Sequence, residues 1–460
     1  MRAFMRFLTF LVVLALVVAG GAWLWAGRAE GPRIEIRQPE KFIGQSTSLD
    51  MVVESPGGQF ARVDAAIEQD GAVHPVFTLA QPSEASVRQE SAERIYVMRP
   101  IGKRDVPALK AGPARLVVRA ARPVLFGYRE AESETARDLE VRLDPPRVAI
   151  LSRFHYVNHG GAEFVVYQAM PADVESGVRV GDQTYPGFPA SGAGIKADAA
   201  TKVAFFALLH DQDLNVPVSI YARDAAGNES STPLDHTPFT KSFARSRIEI
   251  DDRFLQRVVP AIAAETPEMQ LSTTADDLMA SFLRVNGELR LRNGQTIEGL
   301  ARKTAPEMLW KEAFQPLVNA AIESRFADNR TYFYKGKEID RQVHLGFDLA
   351  VTQRIPVVSA NDGIVLFADY LGIYGNCVIV DHGLGVQSLY AHLSSMDVKP
   401  GDRVEKGRQL GRSGTTGLAG GDHLHFTMLV NGRPVNAVEW WDPKWMQDRV
   451  LRKIAEAGGV

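Results

Sequence analysis

Ten histidines occur in the chain. Four of them gather with one carboxylate at spacings that suit a metal ion. His423 and His425 are two residues apart, His344 and Asp348 are four apart, and His392 falls between the two pairs. On a β-strand, even spacings place side chains on one face. Two such strands side by side would present a compact set of imidazole and carboxylate donors. Zinc accepts both, and a catalytic zinc keeps three protein ligands and one position for water. A histidine alone is usually a surface residue or a hydrogen-bonded core residue. Here His-x-His, His-x-x-x-Asp and a further histidine share one glycine-punctuated segment, which points to a metal centre.

Longer stretches surround these residues. They read HLGFD at 344–348, ANDGIV at 360–365, YGNCVIVDHG at 374–383, LYAHLS at 389–394, VKPGDRVEKGRQLGRSGTTG at 398–417 and GDHLHF at 421–426. In order and spacing, residues 326–442 resemble the peptidase domain of the lysostaphin-type (LytM-like) zinc metallopeptidases. The resemblance covers about a quarter of the chain. It implies an antiparallel-β peptidase domain with one zinc ion held by His344, Asp348 and His425. It also implies that His392 and His423 are catalytic, and that the substrate is a peptide cross-link or stem peptide of peptidoglycan. One departure is Thr427, where the family often has Glu. That position is not a ligand in the family, so activity is expected to survive. A transition-state tyrosine found in some relatives has two candidate counterparts, Tyr332 and Tyr334.

No His-Glu-x-x-His motif is present, so no glutamate is placed beside a ligand pair to act as base. A neutral imidazole, with an ordinary pKa of about 6.5, does the same work. His423 is the choice for general base. His392 would sit beside it, orienting water or donating to an oxyanion, and the two roles are interchangeable at this level. The loop Ser413–Gly421 lacks the Gly-Lys-Ser/Thr ending of a phosphate cradle and is read as a wall of the site. Cys377 is the single cysteine, so no intramolecular disulfide forms. It lies in the apolar run Cys377–Val380 and is read as a buried hydrophobe, not a nucleophile.

The N-terminus has Arg2 and Arg6, then an uncharged apolar run from Phe7 to Gly27, then Arg28. Its roughly 21 residues are enough to cross a ~30 Å hydrocarbon core. A cleaved signal peptide has a shorter apolar region ending at a small-x-small site. Here Trp23 and Trp25 prolong the run and suit a membrane interface. An uncleaved anchor is expected, with the N-terminus cytoplasmic and the bulk of the chain on the periplasmic or extracytoplasmic side. A net charge of −3 with 23% charged residues gives no basic footprint for nucleic acid.

At 460 residues the chain exceeds one ordinary domain. The expected architecture is mainly β. Residues 1–28 form a transmembrane helix, 32–145 and 146–240 two Ig-like β-sandwich modules, 249–325 a helical linker region, and 326–442 the peptidase domain. Alternation at Arg33–Arg37, Ser48–Val53 and Arg115–Arg119 supports the first module, and Asp144-Pro145-Pro146 reads as a hinge. Val218–Asn228, an apolar strand leading into Asp-x-x-Gly-Asn, resembles the closing strand of immunoglobulin-like modules. The sequence names no protein partner for these modules. In the linker, Leu278, Phe282, Val285 and Leu289 recur at helical spacing, with Thr274 and Asp277 as a start signal. A second helix is expected after Pro306, with Leu309, Trp310, Ala313 and Phe314 on its apolar side.

The upstream helices are expected to restrain the site by lying across the groove. Asp328 and Asn329 each carry an oxygen that could reach the metal, but Phe326–Arg330 reads first as the start of the domain's first strand, framing the groove. The competing function is a non-catalytic envelope protein that activates a wall amidase or binds the wall through its Ig-like modules. The presence of all five site residues argues against it.

Overall fold

The alternation at Ser48–Val53 resolves into a strand that buries Leu49, Met51 and Val53 on one side, as the two-residue period of a half-buried strand requires. The computed structural model describes residues 1–55, 57, 59–81, 87–350 and 352–458. Two units are defined, Met1–Pro146 with Arg223–Glu229, and Arg147–Ala222 with Ser230 onward.

In the first unit, helix α1 (Arg2–Ala26) precedes two β-sheets. Its stretch Phe4–Ala26 is long and apolar enough to cross a membrane by length and composition. One sheet has the strands Arg33–Gln38, Ser48–Glu54, Arg94–Pro100 and Val87–Ser91. The other has Phe42–Ile43, Arg129–Val141, Gly112–Val124, Arg62–Gln69 and Ala72–Thr78. Leu49, Val63, Val97, Leu116 and Val118 meet in the core.

The second unit begins with a β-block between residues 147 and 239, made of two four-stranded sheets and a two-stranded one that pairs His155–Asn158 with His236–Phe239. Helices α2 (Asp252–Glu265), α3 (Leu278–Arg284) and α4 (Arg290–Ala301) follow. Asp251 caps α2 by accepting from Phe254 N at 2.7 Å. Leu278, Phe282, Val285 and Leu289 are buried, as their spacing predicts. Pro306–Phe314, by contrast, is an irregular strap with bends and not a helix. Its backbone groups bond to neighbours instead of to one another. Met308 N donates to Gly192 O, Leu309 N to His382 O and Phe314 N to Trp440 O. Trp310 and Phe314 are nonetheless buried.

The C-terminal part is built on an eight-stranded antiparallel sheet. Its strands run in the order Ala321–Ser324, Phe347–Ala350, His423–Val430, Val386–Leu393, Asn376–Gly383, Gly363–Tyr370 and Arg403–Val404, with Arg433–Val435 paired to His423–Val430. One core joins this sheet to the preceding β-block, and in it the rings of Phe164, Phe205, Trp310, Phe314 and Trp440 touch. Two buried polar links cross the same junction. Glu439 accepts from Ala162 N and Asn158 Nδ2 at 2.8 and 2.6 Å. Lys453 pairs with Glu163 at 2.8 Å, their side chains 2% and 0% exposed.

Candidate metal centre and active site

Strand pairing brings the site together. Asp348 on Phe347–Ala350 lies directly opposite His425 on His423–Val430. His423 and His425 point to one face of their strand, as spacing predicts. His344 and Asp348 sit on separate strands, not on one. His344 ends Lys337–His344, and Leu345-Gly346 turns the chain into the next strand. Gly346 is required there, because a Cβ would lie 2.5 Å from the His425 ring and from Thr427 Oγ1.

Three donor atoms converge. His344 Nε2 lies 2.9 Å from Asp348 Oδ1 and 3.0 Å from His425 Nδ1, and His425 Nδ1 lies 3.0 Å from Asp348 Oδ1. Zinc bound tetrahedrally at 2.0–2.1 Å would set its donors about 3.3 Å apart, close to this triangle. The outer ring nitrogens are engaged elsewhere. His344 Nδ1 donates to Arg325 O at 3.1 Å. His425 Nε2 donates to Thr427 Oγ1 at 3.0 Å, and that hydroxyl donates to Leu345 O at 3.0 Å. Both inner nitrogens therefore present lone pairs to each other and to a carboxylate. A cation between them removes that repulsion, so the residues fit a metal ion.

Electrostatics agree. Burial would raise the Asp348 carboxyl, but His344, His423 and His425 together hold it well below the usual carboxylate range. Burial pushes the His425 imidazole down to about 4, so it is neutral and able to ligate. Arg330 Nη2 donates to Asp348 Oδ2 at 2.7 Å, occupying that oxygen and leaving Oδ1 in the triangle.

His392 and His423 stand beside these donors, their ring centroids 4.8 Å apart. His423 Nδ1 donates to Gly421 O at 2.9 Å, and its Nε2 lies 3.5 Å from Asp348 Oδ1. His392 Nδ1 donates to Thr416 O at 2.8 Å. Each ring thus turns Nε2 to other partners. Burial and the neighbouring imidazoles hold His392 well below its ordinary pKa, keeping it neutral. Burial alone would lower His423 as well, but Asp348 overrides it and raises the group.

The five residues line a cavity of about 700 Å³. Tyr332 lines it too, whereas Tyr334 turns away and donates to Asp252. Leu418, Gly420 and Gly421 form part of its wall. Helices α2 and α4 brace that side. Arg257 donates to Ala419 O at 2.8 Å, and Asn293 Oδ1 accepts from Ile373 N at 3.0 Å. Phe254 and Arg290 reach the cavity itself.

Asp328 and Asn329 are not among the donors. Asp328 sits behind His344, with its carboxylate accepting from Ser246 Oγ at 2.9 Å and pairing with Arg330 at 3.4 Å. The Asn329 amide donates to Ala244 O and Ala327 O. Sequence reading missed Arg330 and the part played by Thr427. Nothing local marks the first, and the second is legible only once Gly346 folds Leu345 over His425. Cys377 is fully buried, and burial pushes its thiol up, away from nucleophile chemistry.

Residues 342–437 match the model of Peptidase family M23. The chain carries a domain of that family, the lysostaphin-type. It is 30% identical to the peptidoglycan DD-endopeptidase ShyA of Vibrio cholerae serotype O1 over 163 residues, which are 35% of this chain and 34% of that protein. It is 42% identical to the DD-carboxypeptidase/endopeptidase Mpg of Neisseria meningitidis serogroup B over 126 residues, 27% of this chain and 28% of that protein. The matched region thus spans about a third of the length of these relatives. Among solved structures, the catalytic domain of lysostaphin from Staphylococcus simulans aligns at 26% identity over 28% of this chain and 98% of that one, with a TM-score of 0.25.

Proposed function

We propose that the chain is a membrane-anchored zinc metalloendopeptidase that hydrolyses peptide bonds in the cross-links or stem peptides of peptidoglycan. The observation that carries this reading is the triangle of His344 Nε2, Asp348 Oδ1 and His425 Nδ1, with two further imidazoles beside it. His344, Asp348 and His425 would hold the ion. Bound zinc supplies Lewis-acid chemistry, polarising a carbonyl and acidifying water.

The remaining work falls to the chain. His423 Nε2, with Nδ1–H fixed on Gly421 O, would take a proton from the attacking water. Neutral His392, fixed through Thr416 O, orients that water or donates to the developing oxyanion. Arg330 and Thr427 hold the ligands in place. The substrate class is supported by the similarity to ShyA, a peptidoglycan DD-endopeptidase, and to Mpg, a DD-carboxypeptidase/endopeptidase.

The proposed organisation assigns 1–28 to the anchor and 32–145 and 146–240 to Ig-like modules. Residues 249–325 form the helical linker region and 326–442 the peptidase domain. The anchor reading rests on the length and apolarity of α1. The test is metal analysis of purified full-length protein alongside digestion of purified peptidoglycan. One zinc per chain is expected, with release of peptides that a chelator abolishes and added zinc restores. Protein that stays metal-free in zinc-containing buffer and leaves peptidoglycan intact would favour a non-catalytic role.

A further inference from the structure

The longest hairpin of the first unit pairs Gly112–Val124 with Arg129–Val141. Its tip is Leu125-Phe126-Gly127-Tyr128, with Val124 opposite Arg129. Leu125 and Phe126 both have positive φ, 52° and 57°, followed by Gly127 at 89°. Hairpin turns of that hand normally take Asn, Asp or Gly. For bulky residues the conformation is strained, and such strain marks places where a side chain is held for a purpose. What it achieves here is exposure. Phe126 is 99% and Tyr128 80% exposed.

The tip lies beside the end of α1. Arg129 donates to Trp23 O at 2.9 Å, and its guanidinium sits 5.2 Å from the Trp23 ring centroid. A Cβ on Gly27 would lie 2.7 Å from Arg129 Nη1, and one on Gly31 would lie 2.5 Å from Glu132 O. Arg122 donates to Glu30 O at 2.7 Å. The hairpin is therefore held to the segment that leaves the apolar helix. Trp23, Leu24 and Trp25, at that end of α1, are exposed.

We propose that Phe126 and Tyr128 enter the headgroup boundary of the bilayer that α1 spans, giving the first unit a second point of membrane contact. This rests on the reading of α1 as a membrane anchor. The chemistry suits a lipid surface. Tryptophan and tyrosine settle at the membrane interface, an apolar tip belongs just below it, and arginine heads sit among phosphates. Two contacts would fix the tilt of the first unit against the membrane, where one helix alone would leave it free to swing.

The test uses full-length protein in vesicles of phosphatidylethanolamine and phosphatidylglycerol. A fluorophore sensitive to polarity is attached at Phe126→Cys or, as a reference for the anchor, at Leu14→Cys. The native Cys377 is buried and escapes labelling. At position 126 the emission is expected to shift to the blue, to be lost with nitroxide lipids labelled near the headgroup, and to resist aqueous iodide. If position 14 is lipid-quenched while 126 behaves as in water, the anchor stands and the hairpin proposal is overturned. Emission at 126 that is blue-shifted but insensitive to lipid nitroxides would mean a protein covers the tip, which also overturns it. If neither position is quenched by lipid, the anchor reading itself fails and the proposal falls with it.

Discussion

Thr427 Oγ1 stands 3.0 Å from His425 Nε2 and donates its own hydrogen bond to Leu345 O. This short relay fixes the tautomer that leaves His425 Nδ1 free for a metal. Partners of this kind typically contribute 10–100-fold in metal affinity or activity. Thr427→Val keeps the shape and removes the acceptor. It is expected to weaken zinc binding by about 10–100-fold, as measured by competition with a chromogenic chelator. Unchanged affinity would leave Thr427 as packing only.

His423 completes no part of the donor triangle, so His423→Ala is expected to keep its zinc. Turnover of peptidoglycan should fall by on the order of 10²–10⁴-fold, the usual contribution of a general base. Elemental analysis checks the first half and peptide release the second. A zinc-loaded variant with near-normal turnover would remove His423 from the mechanism.

Much of this site was legible in the sequence. His423 and His425 lie in a short motif whose strand period decides where the side chains point, whereas His392 adopts a positive φ of 62° that no strand period predicts. The His344–Asp348 spacing suggested one strand, yet the residues occupy two, because Gly346 lets the chain cross over His425. Local pattern also found α3 through Leu278 and Phe282, and the helical turn that follows it through Val285 and Leu289. It failed at Pro306–Phe314, whose apolar residues repeat at helical spacing but whose backbone partners are distant strands. The junction between the β-block and the peptidase sheet was not legible at all. Glu163 and Lys453 stand 290 positions apart, and no local signal pairs them.

That ion pair carries its own expectation. Glu163 also accepts from Tyr156 N at 2.9 Å, and Lys453 also donates to Phe164 O at 2.8 Å. Lys453→Met strands a buried carboxylate and is expected to cost about 3–5 kcal/mol. Adding Glu163→Gln should recover part of that loss. Denaturant unfolding of the second unit measures both, and a single variant as stable as the parent would show that water reaches the pair.

Glu439 gives a pH signature. Burial raises its carboxyl from the ordinary 4.5 to about 7. Between those values the folded state holds a proton that the unfolded chain releases. Glu439 therefore contributes stability at low pH that is lost as pH rises from 4.5 through 7. The buried His155, held down at about 4 mainly by burial, acts in the opposite sense over much the same range. The informative quantity is thus the difference from Glu439→Gln. Relative to that variant, the parent is expected to lose about 3 kcal/mol across the window. Parallel stability curves for the two proteins would contradict the raised pKa.

Mass spectrometry of the fragments released from purified, cross-linked peptidoglycan by zinc-loaded full-length protein, with Asp348→Ala as the control, decides whether the chain is a zinc-dependent peptidase. The expected result is loss of cross-linked species or shortening of stem peptides, with every new end at a peptide bond. Asp348→Ala is expected neither to retain zinc nor to release anything. Cleavage of glycosidic bonds, or the same peptide products from metal-free Asp348→Ala, would contradict that assignment.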